Sequence, residues 1–332
     1  MNDDHNTASM LNSSGDALPR TRKLLTQMRA SRALAACGVV CAISVGAADA
    51  VRVIGDVEHE ALDEVSGIVK SNLGDFYWVH NDSGDEARLY AIDADSAVLK
   101  PPYIPVSAAD WPGHVIVGAW HFDWEDIALA DGVLYIADVG NNGNARRDLG
   151  VYVVNEPDPL AIPRMRTLRF LPLRYPDQES YPAKRWHFDC EAVFVADDRL
   201  YFITKHRRPG EIGSFEVGAK LYRLDTSFTD RENVLTLVGT HEGIFLATGA
   251  DLSPDGSRLV VSTYDALWIF DKPADGDNWL SGTAWRLDLD RRVVKQLEAV
   301  TWDDAVTLRL VNENRDVMVA DVKAFMPVTG PH

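Results

Sequence analysis

Cysteine is scarce in this chain: three in 332 residues, at positions 37, 41 and 190. The first two fall in a segment with the marks of a removable leader, so the remaining chain carries the single thiol Cys190 and no internal disulfide. Basic residues are also in short supply, 33 Lys+Arg against 50 Asp+Glu. A surface of that sign repels nucleic acid and anionic lipid and suits a hard cation. Long hydrophobic runs are missing, since the one apolar stretch, residues 33–45, is too short for a membrane span. Helical periodicity is nearly absent from residues 51–332, which excludes a helical bundle and an α/β sheet. Histidine and cysteine do not cluster, which argues against zinc or copper.

The amino-terminal 50 residues read as a leader. Residues 20–32 are basic, residues 33–45 are small and apolar, and Ala48-Asp49-Ala50 fits the small-x-small cleavage rule. The leader itself starts naturally at Met28. Cys37 precedes the greasy segment instead of following it, so the expected product is free of lipid and is secreted or periplasmic. Residues 1–50 remove five basic and four acidic residues, leaving 28 Lys+Arg against 46 Asp+Glu, a net 18 negative charges. The remaining 51–332 form one domain of about 280 residues, long enough to bury roughly 70–75% of its unfolded surface without staples.

What is present is repetition. A short apolar segment, a Gly/Asp/Asn turn, a second apolar segment and a third opening on an aliphatic-aromatic pair recur five times. The leading segments are EVSGI (64–68), EDIAL (125–129), EAVFV (191–195), DLS (251–253) and EAVTW (298–302). A further strand-like run trails each. The spacing predicts an all-β fold, a β-propeller of four-stranded antiparallel blades. Five blades are expected, or six if residues 96–120 or 157–182 hold another hairpin. Residues 51–57 are a spare strand expected to pair with the last blade and close the ring. A two-sheet sandwich would not repeat an acid at the same place in every unit.

Those acids carry the chemistry. First strands of a propeller line its axis, so Glu64, Glu125, Glu191, Asp251 and Glu298 are expected to form a carboxylate collar, the fourth register shifting to Ala250 in a gap-free alignment. Asp82, Asp126 and Asp138 join them as candidate metal ligands. Asn81, Asn141, Asn142, Asn312 and Glu313, at second-strand ends, add oxygens at the same face. Like charges in a narrow pore require protonation, hydration or a cation. Calcium takes six to eight oxygens in loose geometry and is the cation this ligand set fits. The blander reading is that such acids only fix turns by accepting backbone N–H bonds. The third unit continues into Lys205, His206, Arg207 and Arg208, a basic stretch that could hold a phosphate or carboxylate beside the metal. His80 and His187 stand beside collar positions and are candidate acids or bases.

Glu64-x-Ser66-Gly67-Ile68, His80-Asn81-Asp82-Ser83-Gly84, Asp123-Trp124-Glu125-Asp126-Ile127-Ala128 and Ala137-Asp138-Val139-Gly140-Asn141-Asn142 resemble a group of uncharacterised bacterial secreted β-propellers. That group is distantly similar to the SdiA-regulated and phytase-like propellers. The resemblance spans about residues 60–325 and implies a propeller with calcium on its axis. Phytase chemistry would need a dense set of phosphate-binding cations, for which this sequence offers Lys205 to Arg208 with Arg146 and Arg147. Two functions are expected: a metal-assisted hydrolase of a small anionic ester, or a non-enzymatic extracytoplasmic module binding a polar ligand or an envelope partner, in either case a monomer.

Overall fold

The computed structural model describes residues 50–329. The expected leader, apart from Ala50, lies outside them. No helix among the described residues is long and apolar enough to cross a membrane.

The described chain opens with β1 (Val51–Asp56) and proceeds through short antiparallel strands. The first group is β2 (Val65–Lys70), β3 (Phe76–Asn81), β4 (Arg88–Asp93), β5 (Val98–Leu99) and β6 (His114–Val117). The second is β7 (Trp124–Ala130), β8 (Val133–Asp138), β9 (Gly150–Asn155) and β10 (Arg164–Arg174). The third is β11 (Trp186–Ala196), β12 (Arg199–Arg208), β13 (Glu211–Phe215), β14 (Ala219–Arg223) and, after β15 (Asn233–Val234), which pairs with β10 of the second group, β16 (Thr236–His241). The fourth is β17 (Ala247–Leu252), β18 (Arg258–Thr263), β19 (Ala266–Asp271) and β20 (Ala284–Asp288). The fifth is β21 (Leu297–Trp302), β22 (Thr307–Asn312) and β23 (Asp316–Asp321), followed by β24 (Met326–Pro327), which adds a fifth strand to the fourth sheet beside β20.

The first strands of these groups touch in a closed cycle, β2 to β7 to β11 to β17 to β21 and back to β2. The arrangement is propeller-like, with those five strands innermost. Residues 96–120 supply β5 and β6, and residues 157–182 supply β10, as outer strands. Parallel pairing of β6 with β10 joins the first two groups into one continuous sheet. β1 pairs antiparallel with β23, Val51 opposite Ala320, so the first described strand completes the last sheet and covers its edge.

Sheet stacking explains the unbroken apolar runs. β3, FYWVHN, is buried along its whole length, because both of its faces are covered by neighbouring sheets. Trp78 and Trp124 pack together with Ile136 and Met165 between the first and second groups. Ile68, Tyr77 and Val79 pack against Ala299, Val311 and Val317 across the point where the ring closes. Fully burying one large apolar side chain contributes about 1.5–3 kcal/mol, so these interfaces hold the ring without disulfides; Cys190 is a buried free thiol. The β7–β8 turn is Asp131-Gly132, with φ of 50° and 73°. Both positive angles are what a two-residue type I′ hairpin requires, and Asp-Gly supplies them at low cost.

Candidate metal centre at the axial mouth

A single backbone irregularity recurs in all five inner strands. Each carries one residue more than its partner strand at the same level: Ser66, Glu125, Glu191, Thr248 and Glu298. A β-bulge re-aims the extra side chain out of the pleat. The collar is therefore Ser66–Glu125–Glu191–Thr248–Glu298, three carboxylates and two hydroxyls. This corrects the expected ring at two positions. Glu64 lies two residues before its bulge and is exposed at the rim. Asp251 lies beyond its bulge, where its carboxylate accepts from the Trp302 backbone N–H at 2.8 Å and from the Thr301 hydroxyl at 2.7 Å.

Three carboxylates at this mouth converge without a donor. Asp82, Asp123 and Glu125 offer oxygens all within 4.8 Å of one another. Among the described residues no hydrogen-bond donor meets any of these three carboxylates, and the Asp82 Oδ1 atom is buried with no partner. Burial, followed by the Asp123 charge, pushes Asp82 up to about 7. Burial and the nearby Asp189 push Asp123 to about 6. Glu125 is raised well above the usual carboxylate range by burial and then by Glu191 and Asp82. Gly140 makes the convergence possible, since a Cβ there would collide with the Glu125 and Asp123 carboxylates. Uncompensated buried charge is costly, and a cation is the simplest group that relieves it. Three hard oxygen donors from two adjacent strand groups could hold a metal ion.

A second group, Glu125, Asp189 and Glu191, shares Glu125 with the first and is equally compact. Here the protein supplies its own cations. Lys205 Nζ lies 2.7 Å from Glu191, and Arg207 Nε lies 2.6 Å from Asp189. Burial opposes the Lys205 charge, but Glu191 and Asp189 outweigh it and hold the ammonium protonated. Arg207 also bonds Asn142 and the Ile212 carbonyl. The basic stretch therefore turns inward, so Lys205 and Arg207 are not an open anion-binding patch; a long side chain next to a buried carboxylate pairs with it before it reaches solvent. His206 stacks on His187, ring centroids 3.8 Å apart, and His187 bonds Glu216.

On the far side of the collar, the Tyr264 hydroxyl donates to Glu298. Burial first, against the pull of Lys205, raises Glu298 to about 8, with Glu313 adding to it. Burial, then Asp63 and Glu313, raises Glu64, and Glu64 and Glu313 both stand near enough to add to the rise of Asp82.

The other expected ligands are engaged elsewhere. Asp126 turns away from the mouth and accepts from the backbone N–H groups of Ile127, Val193 and Ala250, tying three inner strands together. Asp138 is held by Arg146 Nη2 at 2.8 Å. Asn81 spans the Glu64 N–H and the Ala61 carbonyl. Asn141 braces Phe188 and the Arg146 N–H, and Asn312 braces Val294 and the Asp316 N–H. His80 is fully buried with Nδ1 on the Asn81 carbonyl, lies against Gly67, and is lowered to about 4 by burial. The blander reading thus holds for Asp126 and Asp251. Asp123, whose acid the sequence places at the same edge as Glu125, joins the cluster without having been among the candidate ligands; the residues that the sequence pattern left out are Asp189, two positions before a bulge, with Ser66, Thr248 and Tyr264. The signal that could have found the collar is polar-small-aliphatic: Ser-Gly-Ile, Glu-Asp-Ile, Glu-Ala-Val, Thr-Gly-Ala and Glu-Ala-Val at 66, 125, 191, 248 and 298.

No protein-family model matches the sequence, and no curated protein matches it. Solved structures that are similar in chain path include a luciferin-regenerating enzyme, 10% identical, with 84% of this chain and 78% of that one covered and a TM-score of 0.44. Another is the PQQ-bound aldose sugar dehydrogenase of Streptomyces coelicolor, 12% identical, covering 81% and 96%, with a TM-score of 0.42. A gluconolactonase of Xanthomonas campestris is 13% identical, covering 82% and 89%, with a TM-score of 0.40.

Proposed function

We propose that this chain is an extracytoplasmic five-bladed β-propeller that binds one calcium ion on Asp82, Asp123 and Glu125, and that the loaded centre hydrolyses a small ester. The observation that carries the reading is the donor-free convergence of those three carboxylates, with a buried, unpartnered Asp82 oxygen among them. The closed cycle of five inner strands supports the blade count. The leader-like amino terminus supports export to a compartment where calcium is plentiful.

A divalent ion bound there would polarise an ester oxygen or lower the pKa of a water. Asp82, Asp123 and Glu125 would hold it. Lys205 pairs with Glu191 and fixes that wall of the site. Glu298, carrying its proton at neutral pH and bonded by the Tyr264 hydroxyl, is the collar acid that would hand a proton to a departing alkoxide. The pairing of Lys205 and Arg207 with collar acids favours a second reading, a calcium-dependent binding module without turnover, because little free positive charge remains to clamp an anionic ester.

The two readings separate on the purified mature chain. Calcium should raise the thermal midpoint and EDTA should reverse it, with Glu125→Gln abolishing the response. A panel of chromogenic acyl esters should then be turned over by the calcium form only. Absence of any thermal response sinks the metal centre; a thermal response without turnover across the panel leaves the binding module.

A further inference from the structure

The charge balance of the mouth, taken with two exposed aromatic side chains at its edge, indicates what the centre meets, given the metal reading above. Among the described residues, the basic side chains that reach the collar are already committed: Lys205 to Glu191, Arg207 to Asp189, and Arg146 to Asp138 and Asp148. A divalent cation on Asp82, Asp123 and Glu125 leaves one negative charge in excess, and Glu64 and Glu313 stand at the same rim. An anion approaching such a mouth is repelled. Carboxylates accept hydrogen bonds and donate none when ionised, so the complementary ligand is rich in donors and carries no negative charge.

The segment leading into Asp123 adds the apolar half. Trp120 is 72% exposed and Phe122 is 58% exposed. Between them His121 turns inward, with Nε2 on the Asn81 carbonyl at 3.1 Å and its ring 4.5 Å from the centroid of Trp124. Trp120 and Phe122, on either side of His121 in the chain, stay in solvent. Arg146 fixes Phe122 beside the site: its guanidinium lies 5.8 Å from the Phe122 ring while donating to the Gly140 carbonyl at 2.9 Å. Gly140 is the residue pressed against the Glu125 and Asp123 carboxylates. Exposed tryptophan and phenylalanine two residues apart cost hydration in the free protein, and flat rings with an apolar face suit a partner that is itself apolar on one side and polar around its edge.

We propose that the ligand of this centre is an uncharged polyhydroxylated molecule of the carbohydrate or polyol class. Its C–H face lies on Phe122 and Trp120, its hydroxyls donate to the rim carboxylates Glu64 and Glu313, and a vicinal hydroxyl pair completes the oxygen shell of the calcium ion. Calcium accepts such neutral oxygens beside carboxylates. The anionic ester expected from the basic stretch at 205–208 is displaced by this reading, because two of those side chains are spent on Asp189 and Glu191.

The test is a calcium-saturated titration followed by tryptophan fluorescence and calorimetry. The probes are glucose, mannose, galactose, myo-inositol and glucitol, set against gluconate and inorganic phosphate. At least one neutral probe should bind in a calcium-dependent way and more tightly than either anion. The double variant Trp120→Ala/Phe122→Ala, altering surface residues only, should keep the calcium thermal shift and lose about tenfold or more in affinity for that probe. Binding of gluconate or phosphate ahead of every neutral probe, binding of none of the neutral probes, or an unchanged affinity in the double variant overturns the inference. Loss of the wild-type calcium shift itself would instead remove the metal centre on which it rests.

Discussion

Calcium should stabilise this protein strongly at pH 8 and hardly at all at pH 5. The perturbation is saturation with calcium against EDTA at the two pH values. At a free concentration one hundred times Kd, ligand binding adds about 2.7 kcal/mol. For a domain of this size each kcal/mol moves the midpoint by about 2–4 °C, so the shift at pH 8 is about 5–10 °C. Binding requires ionised carboxylates. Asp82 at about 7 and Asp123 at about 6 are both protonated in the metal-free protein at pH 5. Displacing those two protons weakens binding by about two and one powers of ten respectively, roughly a thousandfold together. The same calcium concentration is then about a tenth of Kd and adds less than about 0.1 kcal/mol. The metal-free protein should behave in the opposite sense. Acids whose native pKa is raised oppose folding when ionised; that cost is fully present above about pH 7 and fades as pH falls toward the unfolded carboxylate range near 4. The assay is differential scanning calorimetry with and without calcium across pH 5 to 8. Equal calcium shifts at both ends would refute the reasoning, since the ion would then not be held by these acids.

Three further outcomes rest on particular contacts. Lys205→Met removes the built-in cation of the second acidic group, so calcium bound per chain by equilibrium dialysis should rise from one toward two; a stoichiometry fixed at one would show that Glu191 and Asp189 cannot hold an ion. Asp126→Ala strands the Val193 and Ala250 N–H groups inside the ring. At about 1–3 kcal/mol for each orphaned buried donor, urea unfolding should show a loss of roughly 2–6 kcal/mol, and a loss below about 1 kcal/mol would contradict the hub role. Gly140→Ala places a methyl against Glu125 and Asp123, so calorimetric calcium affinity should fall by about tenfold or more while far-ultraviolet circular dichroism is unchanged; an unaltered affinity would separate Gly140 from the site.

The repeat was legible because its physics is local. A strand buried on both faces must be apolar along its length, as β3 is, and a two-residue hairpin must end in something like Asp131-Gly132; both requirements leave marks in consecutive residues. The spare strand at 51–56 was legible for the same reason, since an unpaired edge next to a ring short of one strand has one obvious partner. The concentration of acid at one face also showed directly, because Glu125, Glu191 and Glu298 each head a repeated apolar segment.

Tertiary structure alone decided which acids face one another. A bulge adds one residue to one strand of a pair and reverses the facing of the residues beyond it, and the short polar-small-aliphatic triplet at each bulge does not by itself fix the register. Glu64 and Asp251 therefore looked equivalent to Glu125, while Ser66 and Thr248 hold the equivalent places. Whether a carboxylate is free or clasped is equally a matter of distant neighbours: Lys205 beside Glu191, Arg146 beside Asp138, and no donor on the buried Asp82 oxygen. Composition determined the material and the sign of the charge, but only the closed ring determined its geometry, because proximity across five strand groups depends on how the sheets are wound and not on any spacing along the chain.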